Sequence, residues 1–481
     1  MGTTAKQRPA PSLGWVLVIT AAAGLIVALD QLVVATALQT IRRDLDASMA
    51  SLEWTVNAFS LSFAALMIPG ADLGDRIGRK RAYLLGLIVF AVASASCALA
   101  PNVGLLITAR VVQGAGGALI MPAALALLTG ATPPNRRGVV MGIYAAVMGL
   151  AVVGGPLVGG AVAQGIAWRW IFWINIPLIA LVAPVAAAKL SETKGRPAGP
   201  DLSGLVLAAG AMCAIVWGLV RSGPSGWASA EVLGTLIGGG ALLVLFVIRE
   251  RHARAPMLPM GLFASREFAA GNLSTLMLTA SLFSTVFFVA QYLQVALGYS
   301  PLGAGLRFLP WTVPLFFIAP LAGRAQDRIG PRWLISVGLA LQGTGLMVLA
   351  ITAHHHDSYG PSAAALMLSG IGTSMAMPAQ QSAVMSTVPV ALMNKASGTF
   401  NTVRQVGGAL GIAILAAVFA AHGNDRSPLA FANGFAAAIV AAAVMAFVGA
   451  ASGLFAPGRK PVVVPPASPP ARVLEETAGA R

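Results

Sequence analysis

Asp75-Arg76-Ile77-Gly78 returns 252 residues later as Asp327-Arg328-Ile329-Gly330. Gly114-x-Gly116 followed by Met121-Pro122-Ala123 returns as Gly370-x-Gly372 with Met377-Pro378-Ala379, at an offset of 256. Pro133 matches Pro389 and Gly142 matches Gly398 at that same offset. Four landmarks at nearly one spacing are an internal duplication, and a repeat of this length decides the architecture before any single motif does.

The residues around the landmarks are apolar. Of 481 residues, 57% are hydrophobic and only 10% charged, against about 25% charged in a soluble protein. So few charges cannot cover a water-facing surface. The two cysteines, Cys97 and Cys213, are too few for a disulfide scaffold. A net charge of +15 would suit a nucleic-acid binder, but the basic residues stand between apolar runs instead of clustering on one polar face. The composition is that of a polytopic membrane protein.

A helical crossing takes about 20 apolar residues. Fourteen such runs lie near 13–38, 54–73, 82–100, 103–129, 139–163, 170–188, 203–221, 230–248, 268–296, 304–323, 333–353, 361–385, 396–421 and 430–455. With the N-terminus inside, the segments on the cytoplasmic side hold 23 basic residues and the outer loops five, Arg42, Arg43, Arg169, Arg221 and Arg426. Arg110, Arg307 and Arg404 fall within or at the edge of spans. That asymmetry follows the positive-inside rule and places both termini in the cytoplasm. The first span is too long for a cleavable signal.

The repeat makes spans 1–6 and 9–14 two copies, with spans 7 and 8 inserted. Six plus two spans return the chain to the same side, so the copies are parallel. The expected organisation is a cytoplasmic N-terminus over 1–12 and a six-helix bundle over 13–190. A linker with two extra helices follows over 191–267, then a second bundle over 268–455 and a disordered, proline-rich tail over 456–481. Two parallel six-helix halves about an axis along the membrane normal are a known transporter architecture.

The motifs then carry a resemblance. The loop Asp72-Leu73-Gly74-Asp75-Arg76-Ile77-Gly78-Arg79-Lys80-Arg81 resembles the G-x-L-a-D-R-x-G-R-[KR] loop of the major facilitator superfamily, with Ala71 in place of the leading Gly. Arg110-Val111-Val112-Gln113-Gly114-Ala115-Gly116 is similar to its R-x-x-q-G-x-g element. Gly155-Pro156-Leu157-Val158-Gly159-Gly160 resembles the element typical of antiporters. Trp168-Arg169-Trp170-Ile171-Phe172-Trp173-Ile174-Asn175-Ile176-Pro177, Gly298-Tyr299-Ser300-Pro301 and Asn401-Thr402-Val403-Arg404-Gln405-Val406-Gly407-Gly408 are similar to runs of the drug branch. The first span keeps the acid of L-D-x-T-V-V-N-V-A-L-P as Asp30, while Leu32, Ala35 and Gln39 replace its Thr, Asn and Pro. From about residue 15 to 455 the chain resembles the fourteen-span drug:proton antiporter branch of that superfamily. The implied fold is the all-α major facilitator fold with fourteen transmembrane helices. The implied function is proton-coupled efflux of lipophilic drugs, antibiotics or natural products by alternating access; a uniporter or importer, or a receptor-like protein that transports nothing, is the competing reading.

Asp30 is the only acid well inside any of these spans, and an ionisable group at that depth is a functional candidate. Arg110 comes out at a similar depth and is its expected partner, the pair forming the proton-coupling site. Asp75, Arg76, Gly78 and Arg79, with Asp327, Arg328 and Gly330, are expected to latch the cytoplasmic side, the carboxylate facing a helix N-terminus of the opposite half. Gly155, Pro156, Gly159 and Gly160 are expected to let span 5 bend and pack closely, plausibly across the halves. The substrate cavity draws on Gln31, Asn57, Phe59, Gln291, Tyr292, Gln294, Trp311, Gln380, Gln381, Asn401, Arg404 and Gln405.

No nucleophile–base pair or metal cluster stands at membrane depth, so no enzymatic activity, cofactor or metal is expected, the proton gradient being the energy source. The row His354-His355-His356-Asp357 reads as a solvated outer loop more than a metal site. The expected partners are a small lipophilic substrate, protons and membrane lipids, with no nucleic acid, and the expected working unit is a monomer. Twenty-five arginines against six lysines, with abundant Ala and Gly, point to a bacterial cell membrane.

Overall fold

A computed structural model describes residues 12–133, 136–194, 201–253, 256, 260–354, 359–388 and 392–458. The N-terminal segment before Ser12, the tail from Arg459 and the row His355-His356-Asp357 lie outside the described residues. Apart from short 3-10 turns, Met260–Ala264 and those ending at Arg136 and Leu392, the regular structure among the described residues is α-helical.

The first half contains α1 (Leu13–Leu45), α2 (Met49–Ile77), α3 (Arg79–Ala98), α4 (Val103–Ala131) and α5 (Arg137–Gly165). Its sixth rod is broken into α6 (Trp170–Trp173) and α7 (Asn175–Lys189). The inserted pair is α8 (Leu202–Ser225) and α9 (Ala230–His252). The second half opens with α10 (Arg266–Val295). Next comes a rod broken into α11 (Pro301–Arg307), α12 (Leu309–Thr312) and α13 (Pro314–Ile329). It ends with α14 (Pro331–His354), α15 (Tyr359–Ser386), α16 (Met393–His422) and α17 (Pro428–Gly453). The breaks fall at prolines, which remove a backbone donor and clash with the preceding turn: Pro177 just inside α7, Pro310 in α12 and Pro314 opening α13.

Thirteen of these helical stretches are long and apolar enough to cross a membrane. The remaining expected span, 361–385, is the 28-residue α15, which carries no charge but many Ser, Gln and Gly. Its polarity reflects its position, since it packs on α10, α12, α13 and α14 inside the second half. Boundaries shift from the sequence reading at two informative places. α1 continues to Leu45 and takes Arg42 and Arg43 into its last turn. α2 begins at Met49, so Glu53 lies inside a helix and Asp30 is not the only acid in a spanning element.

Helix starts follow their capping residues. Ser48, Asn102, Asp201, Ser229, Ser265, Ser300 and Ser427 each accept a bond from a backbone N–H in the first turn of the helix they open. At Asp201, burial pushes the carboxyl up. The Gly204 backbone N–H, the Ser203 hydroxyl and Arg249 outweigh burial and hold it below the ordinary aspartate value.

The duplication is visible in the backbone. Gly78 and Gly330 each stand alone between two helices, at φ +111° and +80°, where a side chain would be strained. The repeated Gly-x-Gly pairs place a helix between two neighbours. A Cβ on Gly114 would lie 2.5 Å from Phe59 O of α2, and one on Gly116 2.8 Å from Phe90 N of α3. In the second half Gly370 seats α15 against Trp311 of α12, and Gly372 seats it against Gly338 and Gln342 of α14. Lipid offers helices no hydrophobic incentive to associate, so close backbone approach at small residues is what holds such bundles.

α8 packs on both α2 and α16, one helix from each half. Its Val216 and Val220 cluster with Leu61, Ala409 and Ala413, and Trp217 lies against Trp54 at 5.7 Å. α9 covers α8 and exposes Leu233, Ile237, Leu243, Val244, Leu245 and Ile248, an apolar face suited to lipid.

Candidate functional site

Asp30 lies 17 residues from the start of α1 and 15 from its end, near mid-depth at about 1.5 Å per residue. Its side chain is 1% exposed. A carboxylate so placed needs charge and donors around it; α4 and α7 supply them, and α2 and α3 hold the donors in turn. Arg110 of α4 donates from Nη1 to Asp30 Oδ2 in a fully buried ion pair. Gln113 Nε2 and Asn175 Nδ2 each donate to Asp30 Oδ1 at 2.9 Å. Both amides also donate to Ser94 Oγ of α3, at 2.8 and 3.2 Å.

The guanidinium is held as firmly. Arg110 Nε donates to Thr55 O of α2 at 3.1 Å, and Nη1 also reaches Gln113 Oε1 at 2.8 Å. The group lies over the Phe59 ring at 4.4 Å and the Phe172 ring at 5.9 Å, a desolvated cation–π arrangement. Its Nη2 has no hydrogen-bond partner. Asn175 reaches Asp30 because it opens α7 at the break in the sixth rod. The carboxylate therefore accepts three donors, two on Oδ1 and one on Oδ2.

Asp30 and Arg110 were singled out from the sequence, and the structure brings them into contact. Gln113 and Asn175 were not chosen, although both stand in quoted motifs. The available signal was an amide inside an apolar run, one turn from the arginine or beside the helix break.

The other residues expected to line a cavity divide into three groups. Some link the halves: Gln31 Nε2 donates to Gln405 Oε1 at 2.9 Å and to Ser60 Oγ at 3.4 Å. Gln39 Nε2 donates to Gln291 Oε1 at 3.0 Å, and Gln294 Nε2 donates to Thr36 O at 3.0 Å. Others pack inside one half. Phe59 lies beneath Arg110 and beside Phe63 and Phe90, and Tyr292 stacks on Phe435 at 4.1 Å. Asn401 donates back to Ser397 O, and Arg404 lies within electrostatic reach of Tyr144. The third group retains unpartnered buried atoms: both amide atoms of Asn57, Trp311 Nε1 and Gln380 Nε2. Gln381 is exposed.

Among the described residues, the hydrogen bonds and ion pairs between the halves run from mid-depth to the end bearing Asp44 and Asp425. Beyond the amide links above, Gln164 Oε1 accepts from Leu302 N at 3.1 Å, and Arg42 pairs with Asp425. The antiporter-like run splits its work. Gly155 and Gly159 pack on Leu32, Val33 and Thr36 of α1 in their own half, not across the seam. Gly160 and Pro156 make the crossing, against Pro301, Leu302 and Gly305 at the start of the broken rod.

Among the described residues, the opposite end shows no such hydrogen bond or ion pair. Asp75 Oδ1 accepts from Arg79 Nε at 2.8 Å, and Asp72 pairs with Arg76. The expected contact of Asp75 with the opposite half is absent among the described residues. The loop is tied instead to the segment after α7, which sequence reasoning passed over. Glu192 Oε1 accepts from Lys80 N at 3.0 Å, and Thr193 O accepts from Arg79 N at 2.8 Å. Arg328 is exposed, and the Asp327 side chain lies outside the described residues.

Two helical halves bonded to each other from mid-depth to one end, with a buried ion pair inside the first half, are the architecture of a membrane transporter. The Major Facilitator Superfamily profile matches residues 20–412 and 271–476, and the chain belongs to that family. A tetracenomycin C resistance and export protein of Streptomyces glaucescens is 34% identical over 86% of this chain and 77% of its own length. A puromycin resistance protein of Streptomyces alboniger is 35% identical over 90% and 88%. A multidrug resistance protein of Mycobacterium tuberculosis is 31% identical over 84% and 75%. Among solved structures, a D-xylose-proton symporter superposes with a TM-score of 0.66 at 15% identity, covering 93% of this chain and 98% of its own. An inward-facing bacterial homologue of the lysosomal transporter Spinster also scores 0.66, at 18% identity over 93% and 97%; both share the fold.

Proposed function

We propose that the protein exports lipophilic drugs, antibiotics or natural products from the cell in exchange for protons, by alternating access. The observation that carries this reading is the Asp30 network. One buried acid at mid-depth is held by an arginine and two amides drawn from two other helices, α4 and α7.

Protonation removes the charge on Asp30 and weakens the charge-assisted bonds it accepts. Arg110 then stands in a site with its countercharge gone, an expensive arrangement in a desolvated interior. The helices that meet at Asp30 are thereby biased toward another packing, and that bias is what couples proton to conformation. The proton gradient supplies the energy and no cofactor takes part. The basic-residue asymmetry places the Asp75 end in the cytoplasm with both termini, and the Asp425 end outside. The described conformation is then sealed outside and faces inward. A monomer in the lipid bilayer is the working unit, and the membrane is that of a bacterial cell.

Proteoliposomes with an internal pH dye test the coupling against a panel of antibiotics and lipophilic dyes. Compound-dependent proton movement that disappears in Asp30→Asn supports it. Full proton-driven transport by Asp30→Asn refutes it, and compound flux without proton movement makes the protein a uniporter.

A further inference from the structure

The coupling site leaves another buried acid unused. Glu53 lies one turn beyond the Ser48 cap of α2, is 5% exposed, and its Oε2 has no hydrogen-bond partner. One turn further, both amide atoms of Asn57 are buried and unpartnered. Helical spacing puts Glu53, Asn57 and Ser60 on one stripe of α2. Ser60 accepts from Gln31 of α1, and Gln31 donates to Gln405 of α16 in the other half. The stripe therefore faces the seam where the halves close.

Among the described residues, no ion pair reaches Glu53 and its Oε2 has no hydrogen-bond partner. The charged groups of the elements packed on α2 are paired elsewhere or, like Arg43 of α1, exposed. In α1, Arg42 pairs with Asp425 and Asp44 with Arg169. Arg110 of α4 pairs with Asp30, Arg221 of α8 with Glu231, and Arg79 of α3 with Asp75. In α16, Arg404 lies near Tyr144 and His422 bonds back to Val418 O. An isolated carboxylate is costly to bury, whereas the neutral acid is not.

Building on the proposed alternating access, we infer that Glu53 is a second proton-binding site, which gates the outer end. When the halves part there, water reaches the stripe, and the carboxyl O–H gives its proton to water, leaving a carboxylate. Closure requires that carboxylate to take a proton back from the same outer water. The proton returns to the side it came from, so it sets the gate without adding to the number transported. One proton bound in the closed state and none in the open state changes the closed-to-open ratio by about tenfold per pH unit, closure being favoured as pH falls.

The test uses the full chain in nanodiscs, with Cys213→Ser to remove the exposed thiol. Spin labels at Arg43→Cys and Arg426→Cys, both exposed and beside the Arg42–Asp425 bridge, report the width of the outer end. Distance distributions are recorded from pH 5 to 9 without added substrate. In an Asp30→Asn background, the closed fraction is expected to keep rising as pH falls. Adding Glu53→Gln is expected to flatten the profile in the closed state, Glu53→Met to do the same, and Glu53→Asp to retain the slope.

A pH profile unchanged by Glu53→Gln overturns the inference, and if Asp30→Asn alone alters the profile, the Asp30 coupling survives that failure. Flattening by Glu53→Gln with no effect of Asp30→Asn supports the gate and counts against Asp30. A wild-type distance that ignores pH overturns the gate outright.

Discussion

One methyl group separates packing within a half from packing across the seam. A Cβ on Gly160 would stand 2.9 Å from Pro301 C and 3.0 Å from Leu302 Cα, both backbone atoms of the other half. A Cβ on Gly305 would meet Pro156 O at 2.5 Å from the opposite side of the same crossing. Real Cβ atoms do not approach so closely, and a backbone cannot rotate aside. Gly160→Ala must therefore push α5 and α11 apart. Overpacking of this kind costs about 1–3 kcal/mol. Most of that cost falls on the sealed conformation alone, because opening the seam removes the clash. A differential of about 1–3 kcal/mol shifts a two-state equilibrium by about 5- to 150-fold. Gly159 is the control, since its methyl would strike Val33 and Thr36 of its own half in every conformation. The spin-label pair on Arg43→Cys and Arg426→Cys reads the population, and thermal unfolding in the same nanodiscs reads stability. Gly160→Ala and Gly305→Ala are expected to lengthen the distance with little change in Tm, and Gly159→Ala to lower Tm at an unchanged distance. Equal Tm losses and no distance change for all three would refute the assignment of this crossing to the moving seam.

Asn175→Ala removes one of three donors to Asp30, a bond to a charged group worth about 1.5–3 kcal/mol. Transport should persist with its pH dependence displaced by a unit or more, as measured by substrate-driven proton flux. Glu192→Gln weakens the tether on the Lys80 amide, whose hydrogen exchange should quicken about five- to tenfold for a loss of about 1 kcal/mol. Asp201→Ala deletes the α8 cap and should cost that helix about 1 kcal/mol, read as faster exchange at Gly204. Because the folded Asp201 carboxyl sits below its ordinary value, its contribution is present above the unfolded pKa and is lost as pH falls through the lowered one. Protection of the Gly204 amide, relative to its intrinsic exchange rate, should accordingly fall in acid in the wild type and not in Asp201→Ala.

Much of this molecule is legible one-dimensionally because lipid imposes a simple rule. Every buried backbone group must be satisfied within its own helix, so apolar length counts the rods and charge counts their ends. The duplication adds the pairing of the halves, since Asp75–Gly78 and Asp327–Gly330 occupy matching turns. Asp30 and Arg110 stand out because charge inside a span has few bland explanations. Glu53 escaped because two residues with hydroxyl groups and a charge at 48–53 look like a loop, while in space they are a cap and the first turn of α2.

The sequence by itself determined the class of fold, the number of rods, the orientation of one copy relative to the other and the deep acid Asp30 with Arg110 as its expected partner. Those properties depend on composition and spacing along one chain. The tertiary structure alone decided which amides ligate Asp30, since Gln113 and Asn175 are brought to it from 83 and 145 residues away. It also decided which glycines face the seam, and that Gln291 and Gln294 bond across it to Gln39 and Thr36. Such choices turn on which face of each helix meets which neighbour. In an apolar solvent that is settled by close packing between distant segments, which no local pattern records.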